Sequence, residues 1–189
     1  MAAEIPAIIK WILFLAGSAG LVYVSRASLP RVTAHGFYRF FAWEAILGLI
    51  LLNLEHWIED PFSLRQIISW LCLFASIFLV IHGFSLLRLI GRPDDRRPDE
   101  GLFAPEKTTR LVTQGAYRWI RHPLYSSLLC LAWGAFLKWI TWPGLLLVAA
   151  ATIFLLLTAR AEEVENRKFF GPAYEEYQKH TRMFIPYLF

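Results

Sequence analysis

Five long runs of apolar residues dominate the chain and leave little room for a soluble fold. They cover residues 6–24, 37–54, 66–90, 124–139 and 145–158. A helix needs about 17–25 residues to cross a bilayer. Only 18% of the residues are charged, compared with about 25% in soluble domains. The sequence therefore predicts an all-α polytopic membrane protein with five transmembrane helices. Its 189 residues indicate one membrane domain.

The basic residues are distributed unevenly between the two sides of these helices. If the N-terminus lies outside, the cytoplasmic segments carry three basic residues in the first loop, eight in 88–121 and five in 160–182. The outer segments carry only Lys10, Arg65 and Lys138. Because cytoplasmic loops are enriched in Lys and Arg, we predict an N-terminus outside and a cytoplasmic helical tail, in a bacterial inner membrane. This sidedness accounts for the net charge of +4 without a nucleic-acid partner.

A long polar segment at residues 91–121 separates a three-helix scaffold (1–90) from the remainder of the domain (91–189). Loops of this length in compact domains are usually functional. We expect the second part to contain a cofactor-binding loop, a helical hairpin with a tight turn at 141–144, and a tail. The tail, from Arg160 to about His180, is predicted to form two short helices that are broken at Gly171-Pro172. The two cysteines lie in apolar runs and show no metal-ligand spacing, so no metal is expected.

The polar segment ends in Arg121-His122-Pro123, directly before the fourth apolar run. Proline disfavours helical geometry in the preceding residue and suits the first position of a helix. His122 is therefore predicted at or near a helix N-cap, where the helix dipole favours an anion. Tyr117 and Tyr125 offer ring faces to a planar group or a cation. The alternative is an interfacial helix start with an aromatic belt and cytoplasmic arginines.

Two adjacent acids, Glu162 and Glu163, follow the last apolar run. One carboxylate could bind the hydroxyl pair of a ribose or an ammonium group. The alternative is a solvated helix surface on which basic neighbours, including Arg160, balance the acids. Because the predicted sidedness places both polar stretches on one face, together they predict a single cofactor site.

Glu44 lies in the middle of the second run, where an ionisable residue is costly and often functional. We predict a role in a substrate channel or in proton handling. The alternative is a neutral carboxyl group, or one paired with Arg39. His82, in the third run, is expected to be a hydrogen-bonded packing residue.

Several motifs occur together in the C-terminal half: Leu111-Val112-Thr113-Gln114-Gly115-Ala116-Tyr117, Arg121-His122-Pro123-Leu124-Tyr125, Glu162-Glu163, Phe170-Gly171-x-x-Tyr174-x-x-Tyr177 and Arg182-Met183-Phe184-Ile185-Pro186. In combination they resemble the isoprenylcysteine carboxyl methyltransferase family and the wider group that includes the phospholipid methyltransferases. The resemblance covers roughly residues 80–189. It implies an integral membrane methyltransferase that uses S-adenosylmethionine at the cytosolic face and takes an amphiphilic or lipid-like acceptor from the membrane lipids.

The resemblance also implies site residues by position. The implied cofactor contacts are Thr109, Arg110, Leu111, Val112, Tyr117, His122, Pro123, Leu124, Tyr125 and Glu162. The predicted catalytic residues are Glu162, Arg160 and Glu44. One position departs from the family pattern, because Thr158 stands where the prenylcysteine enzymes have a substrate-binding arginine. Arg160 would point about 200° away from that position on a helix, so a different acceptor is expected.

Two other functions compete with methyl transfer. The related sterol reductases use NADPH, and Arg96-Arg97 could bind its 2′-phosphate, although no matching pattern surrounds this pair. A non-catalytic membrane protein that binds a small ligand is the third possibility.

Overall fold

The computed structural model describes residues 5–92 and 107–187. In this part of the chain there are six α-helices: α1 (Ala7–Ser25), α2 (His35–Leu52), α3 (Leu64–Leu89), α4 (Pro123–Phe136), α5 (Trp142–Phe170) and α6 (Pro172–His180). Short 3₁₀ turns cover Leu54–His56 and Gly115–Arg118. The all-α prediction is confirmed. Residues 93–106 of the predicted loop, which include Arg96 and Arg97, lie outside the described residues.

Four helices, α1, α2, α3 and α5, are long and apolar enough to cross a membrane. The chain is therefore an integral membrane protein. Helix α4 is apolar but has only 14 residues, fewer than the roughly 17 that a spanning helix needs. The count of five spans and the orientation of the termini remain predictions.

Helix α5 is much longer than the fifth apolar run. The prediction of a separate helix beginning at Arg160 was wrong, because the structure has one continuous helix of 29 residues. At 1.5 Å per residue it is about 43 Å long, whereas the hydrocarbon core is about 30 Å thick. Hydropathy changes where a helix leaves the membrane, but its backbone hydrogen bonds continue until a helix breaker occurs. Gly171, with φ +59°, ends the helix at the predicted break.

The predicted tight turn at 141–144 is instead the start of α5. Thr141 is the N-cap, and its Oγ1 accepts a hydrogen bond of 3.2 Å from the backbone N–H of Gly144. Trp142 and Pro143 are already helical, since proline is well suited to the first turn of a helix.

The helices pack in two main pairs, α2 against α5 and α3 against α4, and α1 packs along α2. Small residues such as Ala42, Ala132 and Ala151 are fully buried, which allows close approach of the backbones. At Gly83 in α3, an added Cβ would lie 2.8 Å from the Leu124 side chain. This close contact sets α3 against the first turn of α4.

Polar contacts join the helices at both ends of the bundle. At one end, the Lys10 Nζ lies 3.1 Å from a carboxylate oxygen of Glu55. At the other end, His35 Nδ1 at the start of α2 lies 2.6 Å from Glu165 Oε2 on α5. Because α5 projects beyond its apolar part at this second end, it forms a wall there for the residues that precede α4.

The C-terminal segment is anchored to the start of α4. Ile120 and Arg182 form an isolated parallel β-bridge, in which the Arg121 N–H donates to the Arg182 carbonyl oxygen at 2.7 Å. Ser126 Oγ donates to the carbonyl oxygen of Phe184 at 3.0 Å, and the Phe184 ring is buried in the core. The C-terminal segment therefore holds the N-terminus of α4 in place.

Candidate functional site

A recess of about 570 Å³, including the open space at its mouth, lies where α4 begins. Its walls come from the end of α3, the segment 108–117, the first turn of α4, the end of α5, and α6. Polar and aromatic side chains from separate elements, among them His122, Tyr125 and Glu162, therefore face one common space.

Seven of the ten predicted cofactor residues line the recess: Leu111, Val112, Tyr117, His122, Leu124, Tyr125 and Glu162. Thr109 and Arg110 are exposed outside it, and Thr108 occupies the wall instead. Thr109 Oγ1 donates to the carbonyl oxygen of Arg92 at 2.9 Å. Pro123 is buried as the first residue of α4, where its ring sets the helix start without lining the recess.

Two of the predicted catalytic residues lie elsewhere. Arg160 is exposed and does not line the recess. Glu44 accepts a 2.6 Å hydrogen bond from Ser18 Oγ, across the contact between α1 and α2. Thr158, at the family's arginine position, is fully buried and donates to the carbonyl oxygen of Phe154 at 2.7 Å. The structure brings only Glu162, of the three predicted catalytic residues, to the recess.

The start of α4 has the geometry that its proline predicts. His122 is the N-cap residue, and Pro123 occupies the first helical turn. The His122 backbone N–H donates to the carbonyl oxygen of Met183 at 3.2 Å, and the imidazole stacks on the Tyr125 ring with centroids 5.4 Å apart. The positive end of the α4 dipole and an aromatic pair therefore lie on the same wall.

A tight turn before Tyr117 places this side chain in the lining of the recess. Gly115 has φ +58°, a backbone region that glycine adopts without steric cost. The next N–H, that of Ala116, donates to His82 Nε2 at 3.3 Å, and the His82 ring stacks on Phe78. His82 thus anchors the turn before Tyr117.

The two adjacent acids have different surroundings because neighbouring residues on a helix point about 100° apart. Glu162 lines the recess together with Asn166 and Phe170, which follow it at intervals of four residues on the same face of α5. The Glu162 side chain is 20% exposed, and one of its oxygens lies 3.7 Å from His122 Nδ1. Asn166 Nδ2 donates to the other oxygen at 3.4 Å.

Glu163 points away from the recess and is buried. One of its oxygens accepts a 2.6 Å hydrogen bond from Arg121 Nε and lies 3.3 Å from His122 Nε2. Its other oxygen accepts a 3.0 Å hydrogen bond from Gln178 Nε2 of α6. Glu163 therefore joins three of the recess walls, while Glu162 faces the interior.

Helix α6 contributes two buried tyrosines, Tyr174 and Tyr177, to the wall. The Tyr177 hydroxyl donates to the carbonyl oxygen of Tyr117 at 2.6 Å. Burial raises the pKa of both hydroxyls well above the ordinary value, and the Glu162 and Glu163 charges raise the pKa of Tyr174 further. Both side chains therefore stay neutral near pH 7.

Seven of the lining residues were not among the predicted site residues: Leu87, Thr108, Arg121, Asn166, Phe170, Tyr174 and Tyr177. A signal existed for some of them. Asn166 follows Glu162 by four residues, and both tyrosines belong to the motif after Gly171. Reading these signals required knowing that α5 is continuous as far as residue 170.

A family model described as phospholipid methyltransferase matches residues 64–173. This range is more than half of the chain and runs from α3 to the first residues of α6. The chain belongs to the phospholipid methyltransferase family. The family identification made from the motifs is thereby confirmed. The family's region contains the recess walls from α3, α4 and α5.

Curated relatives of this family member are methyltransferases from bacteria. The methanethiol S-methyltransferase 1 of Bradyrhizobium diazoefficiens is 28% identical over 136 residues, which are 69% of this chain and 45% of that protein. The methanethiol S-methyltransferase of Pseudomonas deceptionensis is 27% identical over 150 residues, 79% of this chain and 50% of that protein. The chain spans about half the length of these relatives. No solved structure shows detectable similarity to it.

Proposed function

We propose that this chain is an integral membrane methyltransferase that transfers a methyl group from S-adenosylmethionine to an amphiphilic, lipid-like acceptor. One observation carries the proposal. A single recess, between the N-terminus of α4 and the projecting end of α5, is lined by His122, Tyr125 and Glu162. Membership of the phospholipid methyltransferase family supports methyl transfer as the chemistry.

The lining residues fit the parts of S-adenosylmethionine. The Glu162 carboxylate, which is partly exposed to the recess, suits the ammonium group or the ribose hydroxyls. The N-terminal end of α4 favours a carboxylate. The faces of Tyr117 and Tyr125 suit the adenine ring or the positive sulfonium group. When bound there, the cofactor supplies a methyl group activated by the positive charge on its sulfur.

The protein's own contribution is positioning and exclusion of water. Tyr117, Tyr125 and Tyr174 are each less than 10% exposed, so the inner walls of the recess are shielded from solvent. His122 and Glu163 hold the first turn of α4 against α5. Together these residues would keep an acceptor and the reactive methyl group in one orientation.

The recess lies at the end of the bundle where the segments 88–121 and 160–182, with eight and five basic residues, are located. This arrangement supports the predicted orientation, with the N-terminus outside and the recess facing the cytoplasm. A soluble cofactor would then enter from the cytoplasm, while an amphiphilic acceptor would enter from the bilayer.

A short thiol is the second candidate acceptor. It is favoured by the names of the curated relatives, which are methanethiol S-methyltransferases. Incubating the protein with labelled cofactor and either bacterial membrane lipids or methanethiol separates the two acceptors, since the label enters either a lipid extract or a volatile thioether.

Binding measurements on the purified protein in lipid nanodiscs test the cofactor assignment. We expect calorimetry to show binding of S-adenosylhomocysteine and no binding of NADPH. Tyr125→Leu should weaken the binding of S-adenosylhomocysteine about tenfold, since stacking and cation–π contacts in a desolvated site contribute about 1–2 kcal/mol. Tyr23→Leu, which changes an exposed tyrosine on α1, should leave it unchanged.

The opposite results would decide between the alternatives. Binding of NADPH without binding of S-adenosylhomocysteine would establish a reductase in place of a methyltransferase. Binding of neither compound would favour a non-catalytic membrane protein.

A further inference from the structure

A second cavity adjoins the recess on the side of the apolar core. This inner cavity, of about 370 Å³ with the open space at its mouth included, lies between α2, α3 and α4 and is lined by residues that include Arg39, Trp43 and Phe84. Leu124 and Tyr125 line both the inner cavity and the recess. Two side chains therefore separate the proposed cofactor position from a space inside the helix bundle.

The inner cavity in turn adjoins a third space. This outer groove, of about 850 Å³ with its open side included, lies between α1, α2 and α4, and it shares Trp43 and Leu128 with the inner cavity. Its other lining residues, among them Leu21 and Ile50, are apolar. The three spaces form a series that runs from a polar recess at the end of the bundle to an apolar groove among the membrane helices.

Arg39 is the charged residue that lines the inner cavity. It is only 5% exposed, and its guanidinium lies over the Trp43 ring, 4.9 Å from the centroid. A buried charge in a membrane helix is costly and commonly marks a substrate path. Guanidinium has five N–H donors in one plane. It can therefore contact its protein neighbours and still present donors to an anion in the cavity.

We propose that the inner cavity binds an anionic amphiphile, with its negative head at Arg39 and its apolar chain in the outer groove. This inference rests on the proposed function, since it names the class of acceptor and the residue that selects it. Arg39 is then a specificity-determining residue. It attracts a head group that is already nucleophilic, so no base is needed to remove a proton, and it repels an ammonium head.

The wall shared with the recess explains how this binding would serve methyl transfer. A head group held beside Arg39 lies next to Tyr125 and Leu124, whose other sides face the recess. A chain that passes Trp43 and Leu128 into the outer groove would fix the direction from which the head approaches. Charge and chain length would then be recognised by different residues and can be tested separately.

The charge is tested with three probes: dodecanoate, 1-dodecanol and propionate. Binding is measured by calorimetry in phosphatidylcholine nanodiscs, with empty nanodiscs subtracted. We expect dodecanoate to bind at least about tenfold more tightly than either other probe. Arg39→Gln should weaken dodecanoate binding by about tenfold to a hundredfold, the range for hydrogen bonds to charged groups. It should change dodecanol binding less than about twofold, and Arg39→Lys should restore part of the affinity.

Arg26→Gln is the matched control, because it removes an exposed arginine from the same end of the bundle and Arg26 does not line the inner cavity. It should leave dodecanoate binding unchanged. Leu21→Trp tests the outer groove, with Leu15→Trp on the outer surface of α1 as its control. We expect Leu21→Trp to weaken dodecanoate binding at least about fivefold and to leave propionate binding unchanged.

The proposal is overturned if Arg39→Gln binds dodecanoate as the wild type does. It is also overturned if this variant loses dodecanoate, dodecanol and S-adenosylhomocysteine binding to the same extent, since Arg39 would then act only in folding. Binding of S-adenosylhomocysteine to the wild type tests the proposed function independently. If the wild type does not bind S-adenosylhomocysteine, the dodecanoate result for Arg39 still stands. If the wild type binds S-adenosylhomocysteine but the Arg39 variants bind dodecanoate as the wild type does, only this inference is rejected.

Discussion

Arg121 Nε lies 2.6 Å from Glu163 Oε1, and this ion pair joins the residue before the α4 N-cap to the projecting end of α5. The two side chains are only 11% and 9% exposed. Gln178 of α6 donates to the other Glu163 oxygen. One carboxylate therefore joins the start of α4, α5 and α6, and it lies outside the recess that they enclose.

Glu163→Gln should destabilise the protein by roughly 3 kcal/mol, because it leaves the charge of Arg121 buried without its partner. The recess walls would also lose their common anchor, so S-adenosylhomocysteine should bind more weakly. Unfolding in denaturant, followed by tryptophan fluorescence, measures the stability change. Glu175→Gln, at an exposed position of α6, is the control and should change neither property. Equal stability of the two variants would contradict the anchoring role.

Glu162→Gln should affect cofactor binding more than it affects stability. Its side chain is partly exposed and faces the recess, so we expect a change in unfolding free energy of no more than about 1 kcal/mol. Loss of a charge-assisted hydrogen bond to the cofactor should weaken binding about tenfold or more. Calorimetry with S-adenosylhomocysteine and a parallel denaturation curve test both parts. Unchanged affinity would remove Glu162 from the proposed cofactor site.

Gly115→Ala should destabilise the protein by roughly 2 kcal/mol or more. The backbone cost of φ +58° for a residue with a Cβ is about 1–2 kcal/mol, and the new Cβ would lie 2.6 Å from His82 Nε2. Gly171→Ala is a useful comparison, since Gly171 has a similar φ of +59° but no atom within 4 Å of the added Cβ. The melting temperature of Gly115→Ala should therefore be lower than that of Gly171→Ala. The reverse order would show that the contact with His82 is not restrictive.

Lys138, at the end of the bundle away from the recess, should make the stability of the protein depend on pH. Its side chain is fully buried, with Nζ 3.0 Å from Gln66 Oε1 and 3.6 Å from the centroid of the Trp70 ring. Burial, followed by the charge of Arg65, lowers the pKa of Lys138 from 10.5 to about 8. Between these values the unfolded chain binds more protons than the folded chain, so stability should rise with pH from about 8 to 10.5.

Lys138→Met should abolish this rise, which we expect to amount to roughly 2 kcal/mol. Denaturation midpoints of the wild type and the variant, measured at pH 7.5 and pH 10, give the difference. Lys179→Met, at a largely exposed lysine on α6, serves as the control for removal of an amino group. Parallel pH profiles for wild type and Lys138→Met would contradict the prediction.

Much of the fold could be predicted from local patterns. Apolar length located α1, α2 and α3 to within two residues at each end, because bilayer thickness imposes a helix length. Proline chemistry placed His122 at the N-cap of α4. Gly171 marked the end of α5, but the hydropathy boundary near Arg160 did not, because the membrane surface changes the solvent without interrupting the helix.

The site could be predicted from the sequence only in part, for a related reason. The motifs located the segments that meet at the recess, and seven of the ten named cofactor positions line it. Thr108 rather than Thr109 faces the interior, and Arg160 points to solvent. A local pattern reports which residues lie near a helix end, but not which of two neighbours is turned toward another helix.

The sequence by itself determined the family, the all-α membrane class and the place along the chain where the site is built. These properties follow from apolar length, proline and glycine chemistry, and motif spacing, all of which act over a few residues. Only the tertiary structure decided that Glu162 faces the recess while Glu163 anchors its walls, and that Arg39 from α2 and Tyr125 from α4 line one cavity. Those relationships depend on how the helices rotate and pack against each other, across separations in sequence that no local pattern records.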